Sequence, residues 1–221
     1  RDKTYAPVVT FSINESDAIT AVSHNLREET YRHFNIEKEI EVIMNFVDVA
    51  RFNRKPIDAF RKAIAPAGER ILLHASNFRK IKRIPDVVKI FAAVHHKIPC
   101  KLLFVGDGPE RSTAEDLSRE LGVSEDVLFV GKQEQMEDIL AIADVFLLTS
   151  EYESFGLAAL EAMAASTMVV SSNAGGLCEI NIDGVTGFTA DPGDITSLST
   201  RTIEVLKDDK KLKQFKFFAY E

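Results

Sequence analysis

Tryptophan is absent from this 221-residue chain, cysteine occurs only twice, and no basic tract or long apolar run interrupts it. Cys100 and Cys178 stand far apart with no second cysteine near either, which excludes zinc-finger spacing and a disulfide framework. No apolar run approaches the roughly 20 residues of a membrane-spanning helix, and no signal-peptide core is visible. Together these features lead us to expect a reducing, cytoplasmic setting. Basic residues number 27 against 34 acidic, a net charge of −7, so duplex nucleic acid and anionic membrane surfaces are excluded as main partners. Also missing are H-E-x-x-H, G-x-S-x-G, the phosphate loop G-x-x-x-x-G-K-[ST] and any Asp-x-Asp pair. Zinc-protease, serine-hydrolase, P-loop and metal-held diphosphate chemistry therefore lack their residues. What remains is an ordinary globular composition, 45 % hydrophobic and 28 % charged, long enough for one core.

The pattern is a regular alternation. Residues 17–23 and 40–44 read as strands around a helix at 24–34, a single βαβ unit that cannot bury both faces of a sheet. A polar connection at 51–69 carries Pro56, Pro66 and a short helical pattern at 57–64. Strands are then expected at 70–76, 101–105, 126–130, 144–149, 167–171 and 187–190. Helices are expected at 83–95, 110–121, 135–142, 157–163 and 194–206. Such a series predicts a doubly wound, Rossmann-like parallel sheet, with ligands at the carboxyl ends of its strands.

One stretch organises the rest, Glu151-Tyr-Glu-Ser-Phe-Gly-Leu-Ala-Ala-Leu-Glu161. It reads as an acidic loop running into a helix, with Ser154 as the expected N-cap, Gly156 leaving the first turn bare and Glu161 two turns in. Carboxylates at Glu153 and Glu161 with bare amides between them suit a hydroxyl–phosphate–hydroxyl ligand. Two solvated glutamates on an amphipathic helix fit the same letters. Asn77-Phe-Arg-Lys-Ile-Lys-Arg83 places four cations in seven residues at a strand's carboxyl end. Gly106-Asp-Gly-Pro-Glu-Arg111 departs from the dinucleotide pattern at Arg111, so nicotinamide and flavin are disfavoured; a tight turn with Pro109 in the next helix's first turn is expected. His24, His74, His95 and His96 read as structural.

Glu153-Ser-Phe-Gly-Leu157 with Glu161, Asn173-Ala-Gly-Gly-Leu-Cys-Glu179 and Asp183-Gly-Val-Thr-Gly-Phe188 resemble retaining glycosyltransferases of family 4, which have the GT-B fold. The resemblance implies a UDP-sugar donor, N-acetylglucosamine in the best-matching members, passed without a metal to a small hydroxyl acceptor such as L-malate in bacillithiol biosynthesis. It implies that Lys82 and Glu153 are catalytic, Lys82 meeting the diphosphate and Glu153 the donor-sugar hydroxyls. Asn77 occupies the family's usual arginine position, so Arg79 becomes the second cation. The backbone of Gly131, Lys132 and Gln133 would read the uracil edge. Ser154, Phe155, Gly156 and Leu157 would present amides to phosphate, and Glu161 would hold the ribose.

Measured against that family, residues 1–45 read as a remnant of the N-terminal acceptor domain, 46–69 as a linker, 70–207 as the donor domain and 208–221 as a truncated C-terminal segment. The expectation is a chain that binds nucleotide but awaits its N-terminal domain for transfer. Met44, Met168 and Cys178 stand where relatives carry proline, which suggests loosened loops. The alternative is a non-catalytic Rossmann module or homo-oligomer, with Phe215, Phe217, Phe218 and Tyr220 forming an interface.

Overall fold

A computed structural model describes residues 3–53 and 55–221. Positions 1, 2 and 54 of the expected N-terminal and linking segments lie outside them. A 3-10 turn (Lys3–Tyr5) leads into α1 (Ala6–Asn14), followed by β1 (Thr20–Ala21), α2 (His24–His33) and β2 (Glu41–Val42), the two strands pairing in parallel. Both strands are two residues long, shorter than the expected 17–23 and 40–44, because Ala21 and Ile40 are the only hydrophobic residues of those two segments that find a buried environment. Two short helices, α3 (Val49–Phe52) and α4 (Asp58–Ile64), then lead into the main sheet.

That sheet alternates with helices: β3 (Arg70–Ser76), α5 (Ile84–His95), β4 (Cys100–Gly106), α6 (Arg111–Glu120), β5 (Val127–Gly131) and α7 (Met136–Ile142). It continues with β6 (Val145–Leu148), α8 (Leu157–Ala164), β7 (Met168–Ser172), β8 (Gly187–Ala190), α9 (Ile195–Leu206) and α10 (Asp209–Tyr220). All six strands are parallel, in the order β5-β4-β3-β6-β7-β8. This is the doubly wound order in which the chain starts at the centre, builds one wing, then returns to build the other.

Each strand is apolar on both faces because helices cover both. Side chains alternate across the pleat. Leu72, Leu102, Val145 and Val170 therefore face a core with α5 and α9, while Ile71, Leu73, Leu103 and Phe146 face one with α7 and α8. The last helix, α10, closes over the second wing, with Leu212 and Phe215 in the first core and Ala219 in the other. Phe215 is thus a core residue rather than part of an exposed aromatic patch, whereas Phe217 and Phe218 are exposed. Met168 opens β7 fully buried, so that position is packed strand rather than a loosened loop.

Candidate functional site

The place where the two wings meet decides where a ligand can sit. β3 and β4 stay in register over seven residue pairs, from Arg70↔Cys100 to Ser76↔Gly106, but β3 and β6 share only Leu72↔Val145 and Leu73↔Phe146. Beyond those pairs the strands part, and an open cleft lies at their carboxyl ends. Ser76 and Asn77 line it from the β3 side, Lys82 and Glu153 from the loops, and Gly156 to Ala158 from the start of α8.

The β3 wall is held by a buried relay. His74 is fully buried, and its Nδ1 donates to the Leu147 carbonyl at 2.8 Å. Nε2 is then an acceptor, which the Ser76 hydroxyl meets at 2.8 Å, and the Phe78 amide donates in turn to Ser76 Oγ at 3.2 Å. Burial, reinforced by the Lys82 charge, lowers the His74 pKa to about 4 against a smaller upward pull from the Leu147 bond, so the ring is neutral. The relay ties β3 to β6 just past their last registered pair. Against this turn packs the Gly106–Gly108 loop. A Cβ on Gly106 or Gly108 would stand 1.9 or 2.0 Å from the Ser76 or Asn77 carbonyl oxygen. Those glycines serve close approach between two strand ends, and the helix begins only at Arg111, leaving Pro109 ahead of its first turn.

Lys82 ends a 3-10 turn at Lys80–Lys82 and is ion-paired with Glu153, whose Oε1 also accepts from the Ser150 hydroxyl at 2.8 Å. Both side chains are largely withdrawn from solvent, at 20 and 13 % exposure. The loop bearing Glu153 is backed by Gly175 and Gly176. A Cβ on Gly175 would lie 2.1 Å from the Glu153 carbonyl, and the Gly176 amide donates to that carbonyl at 2.9 Å. Gly156, left-handed at φ 101°, is the N-cap of α8, not Ser154. A serine at 154 is two residues too early to cap a helix that starts at Leu157, and its own carbonyl is engaged by the Ser23 hydroxyl at 2.7 Å. Ala159 and Leu160 donate to the Gly156 carbonyl, so the Leu157 and Ala158 amides precede the first helical bond, on residues that line the cleft.

Glu161 consequently sits in the second turn of α8, nearer the helix start than two full turns. It is half-buried beside Arg51 and Glu137; burial raises its pKa, Arg51 opposes that rise and Glu137 adds to it. The structure brings Asn77, Lys82, Glu153, Gly156 and Leu157 into one cleft. Glu161 is not among the residues that line it. Arg79 is exposed, Ser154 is exposed, and the Phe155 ring is buried beneath the loop. Gly131, left-handed at φ 68°, ends β5, with Lys132 and Gln133 exposed and Gln133 Nε2 turned back onto the Val130 carbonyl at 2.6 Å.

Residues 57–221 match the family model described as glycosyl transferases group 1. The chain belongs to this glycosyltransferase family. It is 40 % identical over 204 residues to the N-acetyl-alpha-D-glucosaminyl L-malate synthase of Bacillus anthracis, covering 92 % of this chain and 54 % of that protein. The fold of this glycosyltransferase chain superposes on a sucrose-phosphate synthase from Thermosynechococcus elongatus with a TM-score of 0.88 and 27 % identity, over 100 % of this chain and 56 % of that one. HepE from Anabaena, solved with UDP and glucose, shares the fold at a TM-score of 0.90 and 24 % identity, over 100 % of this chain and 62 % of that one. The GT-B, Rossmann-like reading of the sheet is therefore shown. The glycosyltransferase chain spans about half the length of the curated relative it matches, 54 %. Among the described residues no helix is long and apolar enough to cross a membrane.

Sequence reasoning about this glycosyltransferase missed two residues that brace the site. Ser23 is fully buried between α2 and the acidic loop. Glu179 receives the His24 and Asn25 amides at 3.0 and 2.7 Å, capping α2 from the far end of the sequence. Nothing local flags either contact: Ser23 has the form of any N-cap, and Glu179 lies over 150 residues from its partners.

Proposed function

We propose that this chain is the donor-binding half of a retaining glycosyltransferase, holding UDP-N-acetylglucosamine while a small hydroxyl acceptor such as L-malate is presented by a further domain. The carrying observation is the meeting of the Lys82–Glu153 pair with the first-turn amides of α8 in one cleft at the wing junction. The N-acetylglucosaminyl function in the name of the 40 %-identical relative supports the choice of sugar, and the UDP in HepE supports the nucleotide.

In this reading, Lys82 turns from Glu153 to the diphosphate, joined by the Leu157 and Ala158 amides. Negative charge grows on the β-phosphate as the glycosidic bond breaks, and a preset cation and amides stabilise it without reorganisation at that moment. Glu153, released by Lys82 and still bonded to Ser150, accepts from donor-sugar hydroxyls. Glu161 accepts from the ribose. Charge at the diphosphate comes from the chain, and the proposal requires no metal. The reading includes a cytoplasmic setting, supported by two free cysteines, one buried and one exposed.

Thermal unfolding with UDP, UDP-N-acetylglucosamine, GDP-mannose and NAD tests this. A ligand at about 100 times its Kd stabilises a protein by about 2.7 kcal/mol. UDP and its sugar should raise Tm, and NAD should not. A shift with NAD alone, or with none of the four, would remove the nucleotide-sugar reading.

A further inference from the structure

We infer that Arg83 is a positioning residue, which aims Lys82 into the donor cleft by clamping the acidic loop to α5; the inference rests on the donor-binding reading above. Arg83 has left-handed backbone, φ 51° and ψ 47°, between the Lys80–Lys82 turn and the start of α5. An L-residue with a side chain is disfavoured there, and glycine would sit without that cost. Such a conformation persists only where the surroundings over-determine it.

The surroundings do so from two sides. Arg83 Nε donates to Asp86 Oδ2 at 2.6 Å, in the first turn of α5, and Nη1 donates to Glu151 Oε2 at 2.7 Å, at the head of the acidic loop. The guanidinium lies against Gly193, where a Cβ would stand 2.8 Å from Nη2. The backbone is stitched to the same place: the Thr149 hydroxyl lies 3.0 and 3.2 Å from the Lys82 and Arg83 carbonyls, and the Glu151 amide donates to the Ile81 carbonyl at 2.7 Å. Lys82 lines the cleft, while Arg83, one residue on, does not. Arg83 therefore contributes direction rather than charge at the diphosphate. A fixed two-pronged fork spans Asp86 and Glu151 at once, a geometry the single ammonium of lysine does not reproduce.

Glu151 is the arm to cut first, because its side chain is 58 % exposed and its loss leaves the core untouched. Glu151→Ala and Arg83→Lys, each alone and combined with Lys82→Ala, are titrated calorimetrically with UDP and with uridine, alongside thermal unfolding. Expected for both single variants is UDP binding weakened about five- to tenfold and uridine binding unchanged. Glu151→Ala should unfold at the wild-type temperature. With Lys82 already alanine, neither substitution should weaken UDP further, because residues acting through one another are not additive. Wild-type UDP affinity in both single variants, or the same loss with and without Lys82, would overturn the positioning role alone. A wild-type chain that fails to bind UDP would overturn the donor-site reading and this inference with it.

Discussion

Replacing Lys82 by alanine separates a phosphate-binding role from a structural one. Two unit charges about 4 Å apart attract by about 4 kcal/mol at an effective dielectric of about 20. Lys82 already has such an attraction within the chain, to Glu153, with both side chains mostly withdrawn from water. Nucleotide binding exchanges one anion for another, so the gain is a difference: a diphosphate of more than one negative charge against a single carboxylate. That difference falls in the range of a charge-assisted hydrogen bond, about 1.5–3 kcal/mol. It corresponds to UDP binding weakened about 10- to 150-fold. Loss of Lys82 also leaves Glu153 uncompensated beside the phosphates, which adds to the loss. Uridine offers no phosphate and should bind the variant as it binds the wild type. The contrast should narrow as salt rises, because screening shortens from about 10 Å at 0.1 M to about 3 Å at 1 M. Calorimetry with both ligands at two salt concentrations reads all of this. Equal losses for UDP and uridine would refute the assignment and return Lys82 to a folding role.

Glu161→Gln should raise Tm at neutral pH while weakening UDP, since burial and Glu137 disfavour the carboxylate that the ribose requires; parallel unfolding and calorimetry that moved in the same direction would contradict this. Gly175→Ala combines a φ of 62° with a Cβ 2.1 Å from the Glu153 carbonyl. It should cost about 2–4 kcal/mol in urea unfolding, and a cost under about 0.5 kcal/mol would show that the acidic loop yields freely. His74 is neutral in the fold well above pH 4, where its lowered pKa lies, while the unfolded residue protonates near the ordinary imidazole value of about 6.5. The unfolded state thus binds more protons between those values, and stability should fall as pH drops from about 6.5 to 4, by up to about 1.4 kcal/mol per pH unit. His74→Gln should flatten that part of the pH–stability curve; an unchanged slope would mean that other groups carry it.

Much of this fold was legible because the main strands are buried on both faces. Continuous apolar runs such as Ile71-Leu-Leu73 and Val145-Phe-Leu-Leu148 leave few alternatives to a covered parallel sheet. Boundaries failed where backbone conformation outranked side-chain preference. Serine at 154 is a good N-cap residue, yet the left-handed turn at Gly156 starts α8 two residues later. The β1 and β2 segments read as full strands from their letters, but with little to pack against they hold only two residues each in register. In the cleft, Lys82 and Glu153 were visible as charged residues at strand ends. Arg83 was visible only as one more cation of a basic loop, because a positive φ and a two-armed ion pair leave no mark on the letters.

The cap on α2 has a consequence for the order in which the molecule can be completed. His24 donates to Glu179 across 155 positions of chain, and Ser23 to Ser154 across 131. Synthesis runs from the N-terminus, so α2 emerges long before either acceptor exists. A nascent chain ending anywhere before residue 179 holds an α2 whose leading amides lack that carboxylate, and an acidic loop not yet backed by Gly175 and Gly176. Contacts of such long separation also close slowly, since the intervening chain must be ordered first. The α2 segment is therefore anchored only after the residues of the sheet up to Glu179 exist, and the acidic wall of the donor cleft lacks its backing until Gly175 and Gly176 have been translated.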